Sequence, residues 1–246
     1  VLLGKPSGRG RYYVYKSGIP FEEYGFDGDT AYSRRFDAEG RLAWEAEYAR
    51  TDPATYQEGK YKPREADAKY YDMDWYRVFA IQGESREYDA RQVLRWRARH
   101  VNGVPEGLLE SFYDDGSLDF SAVLQNGIRE GAFVKFERAE TGEYYRLAEG
   151  AYAGGRRSGT WTFFQPDGDL SCRVTYQDGR PNGPATDYNE DGSVAAEGSF
   201  DEGTPSATWK RYDEAGLLLG DANPHRVNLF QHEIDEFFVV LIIEWD

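Results

Sequence analysis

The stretch "YNEDGSVAAEGSFDEGTPSATWKRYDEAGLL", Tyr188 to Leu218, decides how the chain is read. Its start looks like half a calcium loop: Asp187, Asn189 and Asp191 alternate, and Gly192 follows. A calcium loop of the helix–loop–helix kind needs a bidentate glutamate at its twelfth position. Counted from Asp187 that position is Gly198, the glutamate is Glu197, and the flanks do not read as helices. The acidic residues therefore have another first use.

That use is a repeat. An aromatic residue followed four places later by glycine occurs in "FDAEG" (Phe36–Gly40), "FYDDG" (Phe112–Gly116), "FQPDG" (Phe164–Gly168), "YNEDG" (Tyr188–Gly192) and "YDEAG" (Tyr212–Gly216). "YDARQ" keeps the register at Gln92 without the glycine, and "FERAETG" (Phe136–Gly142) carries two extra residues. From Gln92 the steps are 24, 26, 26, 24 and 24 residues. A second signal is interleaved: "NGVPEG", "NGIREG", "GGRRSG", "DGRPNG" and "EGTPSA", with first glycines at Gly103, Gly127, Gly155, Gly179 and Gly203. Asn-Gly, Asp-Gly and Gly-Gly supply positive φ at little steric cost and form tight turns. The glycines Gly116, Gly168, Gly192 and Gly216 are expected at positive φ. Between turns lie segments of strand length rich in aromatic and β-branched residues, such as "TWTFF" from Thr160 and "CRVTY" from Cys172. Each unit is predicted to be a β-hairpin. One hairpin is marginal in water, so the units must lie side by side to bury a face.

The expected organisation has three parts. Residues 1–84 hold one repeat-like unit (31–48) and an insertion (49–80) that reads as a loop with room for a short helix. Residues 85–220 are the repeat array. Residues 221–246 are a C-terminal capping segment whose "FFVVLII" reads as a buried strand or a buried turn of helix.

Charge is uneven along the 246 residues. Residues 1–100 hold 18 Lys and Arg against 17 Asp and Glu, and residues 101–246 hold 11 against 27, giving +1 and −16 within the total of −15. Such a balance argues against nucleic acid and anionic membrane, which both call for cationic faces, and it favours a basic partner. The plainer account is that acidic turns keep a sheet soluble and blunt its edges. The turn carboxylates Glu190, Asp191, Asp213 and Glu214 are the candidate partner-binding residues. No run of about 18 apolar residues exists, so no membrane-spanning helix is expected.

Motifs for chemistry are missing. The lone Cys172 excludes an intrachain disulfide and reads as a packed thiol. His100 holds the place, three residues before a turn glycine, that Leu124, Tyr152, Tyr176 and Phe200 hold in other units, so it reads as a packing residue. His225 and His232 flank the tail, and "QHEID" lacks the second histidine of a zinc helix. No phosphate loop, dinucleotide motif or nucleophile elbow occurs. Paired carboxylates such as Asp114/Asp115 and Glu190/Asp191 lie in turns where nothing raises a pKa. Trp161, Trp209, Tyr188 and Tyr212 recur with the period and read as packing residues rather than ligand stackers. No catalytic residue, metal or cofactor is expected.

"GAYAGGRRSGTWTFFQPDG" and "GSFDEGTPSATWKRYDEAG" resemble MORN repeats, closest to the variant form built of aromatic–x–x–x–Gly and Gly–x–x–x–Gly. The resemblance covers roughly residues 85–220 and the unit at 31–48. Its departures are Gln92 for glycine, Ala207 for the second glycine and the insertion near Gly142. It implies an elongated, twisted antiparallel sheet of hairpins that acts as a binding surface. It also implies an immunity protein or antitoxin that neutralises a cognate, basic bacterial toxin such as a nuclease or deaminase. A scaffold for protein or membrane-associated assemblies is the alternative, and an enzyme built on residues 1–84 a third reading. The first residue is Val, so a removed signal peptide stays open; the cytoplasm is the expected location and the periplasm the alternative.

Overall fold

The computed structural model describes residues 10–16, 19–27, 29–50, 79–206, 208–222, 226–229 and 241–244. Among these there is no helix, and the fold is an antiparallel sheet of repeated hairpins. Its strands are β1 (Gly10–Lys16), β2 (Ile19–Asp27), β3 (Thr30–Phe36), β4 (Leu42–Arg50), β5 (Phe79–Tyr88), β6 (Leu94–Val101), β7 (Val104–Phe112), β8 (Leu118–Gln125) and β9 (Ile128–Arg138). They continue with β10 (Tyr144–Ala153), β11 (Arg156–Phe164), β12 (Leu170–Gln177), β13 (Arg180–Tyr188), β14 (Val194–Asp201), β15 (Thr204–Pro205), β16 (Trp209–Tyr212) and β17 (Leu218–Ala222). A separate two-stranded sheet joins β18 (Arg226–Leu229) to β19 (Leu241–Glu244). The chain divides into two compact units, residues 1–117 with 124–127 and residues 118–123 with 128–246. Of the expected insertion at 49–80, residues 49–50 end β4 and 79–80 begin β5, while 51–78 lie outside the described residues, as do the first four residues of "FFVVLII", whose last three belong to β19. β4 and β5, on either side of that insertion, pair directly.

Two turn classes alternate along the chain. The Asn-Gly type is a two-residue loop with both residues at positive φ: Asn102/Gly103 at 51° and 78°, Asn126/Gly127 at 52° and 77°, Asp178/Gly179 at 51° and 83°, Glu202/Gly203 at 48° and 90°. This geometry matches the right-handed twist of the flanking strands. The other class is a three-residue loop closed by two backbone bonds, as where Gly216 N donates to Asp213 O (2.8 Å) and Asp213 N to Leu217 O (3.0 Å). Its last residue is left-handed: Gly116 at 87°, Gly168 at 93°, Gly192 at 80° and Gly216 at 74°, as the sequence predicted. Gln92 takes φ 65° in the same place, and its side-chain amide donates to Leu42 O (2.8 Å). The two extra residues of "FERAETG" do not enlarge the turn. Gly142 N still bonds Ala139 O (2.8 Å), and the extra length lies in β9, which has 11 residues where β11 and β13 have 9.

Successive units are tied at the Asn-Gly end. Gly179 N donates to Arg157 O (3.0 Å) and Gly203 N to Pro181 O (2.7 Å), each reaching two residues past the preceding turn glycine.

Register sorts residues into rows, and the two units use their buried rows differently. In the first unit, Tyr24, Ser33, Ala46, Ser85 and Ala98 lie opposite one another strand by strand, all nearly without exposure. The opposite face carries a charged row, Glu23, Arg34, Glu45, Arg86, Arg97 and Glu110, in which signs alternate except where Arg86 lies opposite Arg97, with Arg86–Glu45 at 3.1 Å and Arg34–Glu45 at 3.4 Å. In the second unit the buried row is aromatic. Phe133, Tyr152, Trp161, Phe163, Tyr176, Phe200 and Trp209 join Cys172 and Val174 in one core. Trp161 packs edge-on to Tyr152, with centroids 5.2 Å apart, a favoured ring geometry.

Large side chains in this core need small ones beneath them. A Cβ added at Gly150 would stand 2.4 Å from the Trp161 ring, and one at Gly198 would stand 2.2 Å from Trp209. Trp161 Nε1 donates to Ala151 O at 3.0 Å. The equivalent carbonyl in the last unit, Ser199 O, is taken by Ser206 N and Oγ, both at 2.8 Å, and Trp209 Nε1 is left buried without a partner. This is the unit whose second glycine is replaced by Ala207, and its strand is divided between Pro205 and Trp209. Ala207 itself lies outside the described residues.

Two glycine substitutions separate these constraints. Around Gly192 an added Cβ meets nothing within 4 Å, so Gly192→Ala carries only the left-handed backbone penalty, about 1 kcal/mol. Gly150→Ala drives a methyl into Trp161 and is expected to cost about 3 kcal/mol and to alter the near-ultraviolet tryptophan dichroism. Chemical denaturation measures both; equal costs would refute the division.

Candidate functional site

The site begins with the chemistry of the three-residue turns. Each needs an acceptor for its inner amides, and a short side-chain oxygen provides it. In three turns the acceptor is an aspartate at the first position. Asp213 Oδ1 accepts from Ala215 N (3.0 Å) and Leu217 N (2.8 Å), and Asp37 and Asp89 repeat the pattern. In three others it is an aspartate at the third position. Asp115, Asp167 and Asp191 accept from the amides of Ser117, Asp169 and Ser193. The turn at 139–143 uses Thr141 in that role.

In an antiparallel meander these turns share one end of the strands, and the Asn-Gly turns share the other. In the second unit the first end holds turns 139–143, 165–169, 189–193 and 213–217. They carry Glu140, Glu143, Asp167, Asp169, Glu190, Asp191, Asp213 and Glu214, and no lysine or arginine. The opposite end carries Arg129, Arg156, Arg157 and Arg180 among its acids. Two of these arginines are spent on packing: Arg129 lies over Tyr152 (5.3 Å) and Arg157 over Trp161 (4.8 Å).

The four expected binding residues therefore fall into two kinds. Asp191 and Asp213 are structural. Asp191 accepts from Ser193 N (2.8 Å) and Oγ (2.5 Å), and these bonds hold its carboxyl below the ordinary aspartate range. The side-chain carboxylates of Glu190 and Glu214, like those of Glu140, Glu143 and Asp169, are exposed and hold no hydrogen bond or ion pair among the described residues. The structure brings turns 189–193 and 213–217 together: Asn189, Tyr212, Asp213, Glu214 and Ala215 line one shallow, open concavity. Sequence reasoning treated the four carboxylates alike. The cue it missed is position within the turn, which separates the capping aspartates from the glutamates.

Among the described residues no reacting constellation accompanies the edge. His100 is buried, as its repeat position predicted, with Nδ1 3.4 Å from Ser85 Oγ, and burial lowers its pKa. Ser85 is itself sealed from solvent, so this contact offers no nucleophile to a substrate. Cys172 is fully buried. His225 and His232 lie outside the described residues. Among the described residues no three His, Cys, Asp or Glu side chains converge as metal ligands, and no helix is long and apolar enough to cross a membrane. Trp161 and Trp209 are core residues, while Tyr188 and Tyr212 meet polar partners, with Arg173 Nη1 donating to Tyr188 Oη (3.3 Å) and Tyr212 Oη to Glu197 (2.7 Å).

One carboxylate is out of keeping with its surroundings. Asp187 faces the buried side between Cys172 and Ala196, and burial pushes its pKa up to about 6 against a weaker opposing bond from Tyr188 N.

No known family model and no curated protein matches the sequence. Two measurements test the assignments. Asp213→Ala is expected to cost about 1 kcal/mol through two lost turn bonds, and Glu214→Ala to stay within about 0.5 kcal/mol; the reverse order in denaturant titrations would refute the division. The raised Asp187 pKa favours the protonated fold, so its contribution is complete below about pH 4 and is lost as pH rises through about 6. Asp187→Asn is therefore expected to be the more stable protein at pH 7, by about 2 kcal/mol, and to lose that lead by pH 4. A lead independent of pH would show that charge burial is not the cause.

Proposed function

We propose that this chain is a non-catalytic binding protein whose acidic turn edge receives a basic protein partner, and that it serves as an immunity protein or antitoxin. The observation that carries the reading is the line of exposed carboxylates at Glu140, Glu143, Asp169, Glu190 and Glu214, none engaged in holding its own turn. Carboxylates carried on a hairpin edge whose backbone is already ordered present a single-sign field that steers a cationic surface. The resemblance to variant MORN repeats supports the same reading, because bacterial proteins of that class often resemble antitoxins or immunity proteins paired with a toxin. A basic nuclease or deaminase fits the charge. The turn aspartates fix the geometry and the glutamates beside them supply the attraction.

The test uses the product of the gene adjacent to this one. That protein is expected to arrest growth when produced alone and to be neutralised by co-production of this chain. Glu190→Lys with Glu214→Lys leaves the capping aspartates intact, and is expected to slow association about tenfold at low salt and less at physiological salt. Absence of rescue would sink the immunity reading. Unchanged association at both salts would reduce the edge to a solubility device.

A further inference from the structure

The repeat array ends half a unit short. β8, β10, β12 and β14 each follow a three-residue turn, and each is followed by a two-residue turn that returns the chain beside it. β17 follows such a turn at 213–217 and pairs with β16, from Trp209↔Ala222 to Tyr212↔Leu218. After it the sequence reads Asp221-Ala222-Asn223-Pro224, which holds no glycine turn, and the next described strand, β18, pairs with β19 instead. Among the described residues no other strand shares a register with β17 on its free side.

Three side chains mark this edge. Leu217, Leu218 and Leu219 are 67, 49 and 59% exposed, and they are the most exposed consecutive apolar residues described. A natural sheet edge is ordinarily blunted by charge, proline or a cover. The cross-strand row names the chemistry of what would add here. Glu197 lies opposite Lys210, with Lys210 Nζ 3.5 Å from Glu197 Oε1, and Lys210 lies opposite Asp221. Opposite charges alternate across neighbouring strands, so the place beyond exposed Asp221 calls for a cation. Glu214, in the turn at the other end of the strand, adds a second uncompensated negative charge. A second copy of this edge strand, Leu218–Ala222, would bring no lysine or arginine to Asp221.

We propose that the free side of β17 is a docking edge for an extended segment of a protein partner that alternates apolar and basic residues. The segment adds as the next strand, bonds the backbone groups of β17 that have no partner among the described residues, packs beside Leu217 to Leu219 and sets a lysine or arginine opposite Asp221. This deepens the reading of a basic partner by giving it a mode of attachment, and it is tested without that partner.

The probe is a synthetic nine-residue peptide of alternating valine and lysine, added to the full chain at physiological salt. Its controls are the valine–glutamate counterpart and the valine–lysine peptide with a central proline. Backbone amide exchange across residues 218–222 is expected to slow about tenfold with the valine–lysine peptide and to be unchanged by the other two. The Asp221→Lys variant, whose altered side chain is exposed, is expected to fold normally by circular dichroism and to prefer the valine–glutamate peptide. Four results would overturn the proposal: β17 amides as slow in the free chain as those of β13, a doubled mass in sedimentation, slowing independent of peptide charge, or no slowing at saturating peptide. Peptide docking with no rescue in the growth assay would spare this edge and remove the immunity reading; rescue without docking would do the opposite.

Discussion

Backbone at the turns must take positive φ, and the remainder of the sheet depends on that constraint. A two-residue loop with both residues left-handed sets the twist of one strand pair, and a three-residue loop with a left-handed last residue sets the next. Once both are closed, register has no freedom, because a slip of one residue would turn every side chain to the other face. The rows follow from register. Ser33, Ala46, Ser85 and Ala98 come into line on one side and Arg34, Glu45 and Arg86 on the other, although no local preference in any one strand demands it. The case of Gln92 shows how firm the requirement is. The chain keeps φ 65° there without glycine, and a side-chain bond to the neighbouring Leu42 carbonyl accompanies it.

Turn-dominated structure is legible in sequence, and packing across strands is less so. Gly116, Gly168, Gly192 and Gly216 announced their conformations, since few other residues tolerate them. The buried state of His100 and Trp161 followed from their place in the period. Gly150 and Gly198 gave no such notice. Their φ is ordinary, and they are glycine because an indole from a strand eleven residues on lies where a Cβ would be. That reason is visible only when two strands are laid together. The direct pairing of β4 with β5 was hidden for the same reason, since the intervening sequence breaks the period while the register resumes across it. The orphaned Trp209 Nε1 is a third case, decided by the Ser206 hydroxyl and amide competing for one carbonyl.

The candidate site was legible by region and not by residue. Net charge drew attention to the turns of the second half, and those turns do share a strand end. Within them charge alone cannot tell a carboxylate that caps backbone from one that projects into solvent. Asp213 and Glu214 are neighbours of the same sign, yet one accepts two amides of its own turn and the other none. The difference is side-chain length. An aspartate oxygen reaches the amide two residues on, whereas the extra methylene of glutamate carries the carboxylate outward. Aspartate at the first or third turn position therefore builds the edge, and the glutamates, with Asp169, decorate it.

This separation of duties explains why an acidic edge can coexist with a regular fold. Capping aspartates are stabilised by the amides they accept, so their charge adds little repulsion that the turn does not already offset. The glutamates project into solvent, where salt screens them from one another over about 10 Å. Charge could thus accumulate at this end of the strands without straining the sheet. The aromatic core constrains the other direction, because each bulky residue requires a small one on the adjoining strand. Surface charge is free to vary along this edge where packing across the buried face is not.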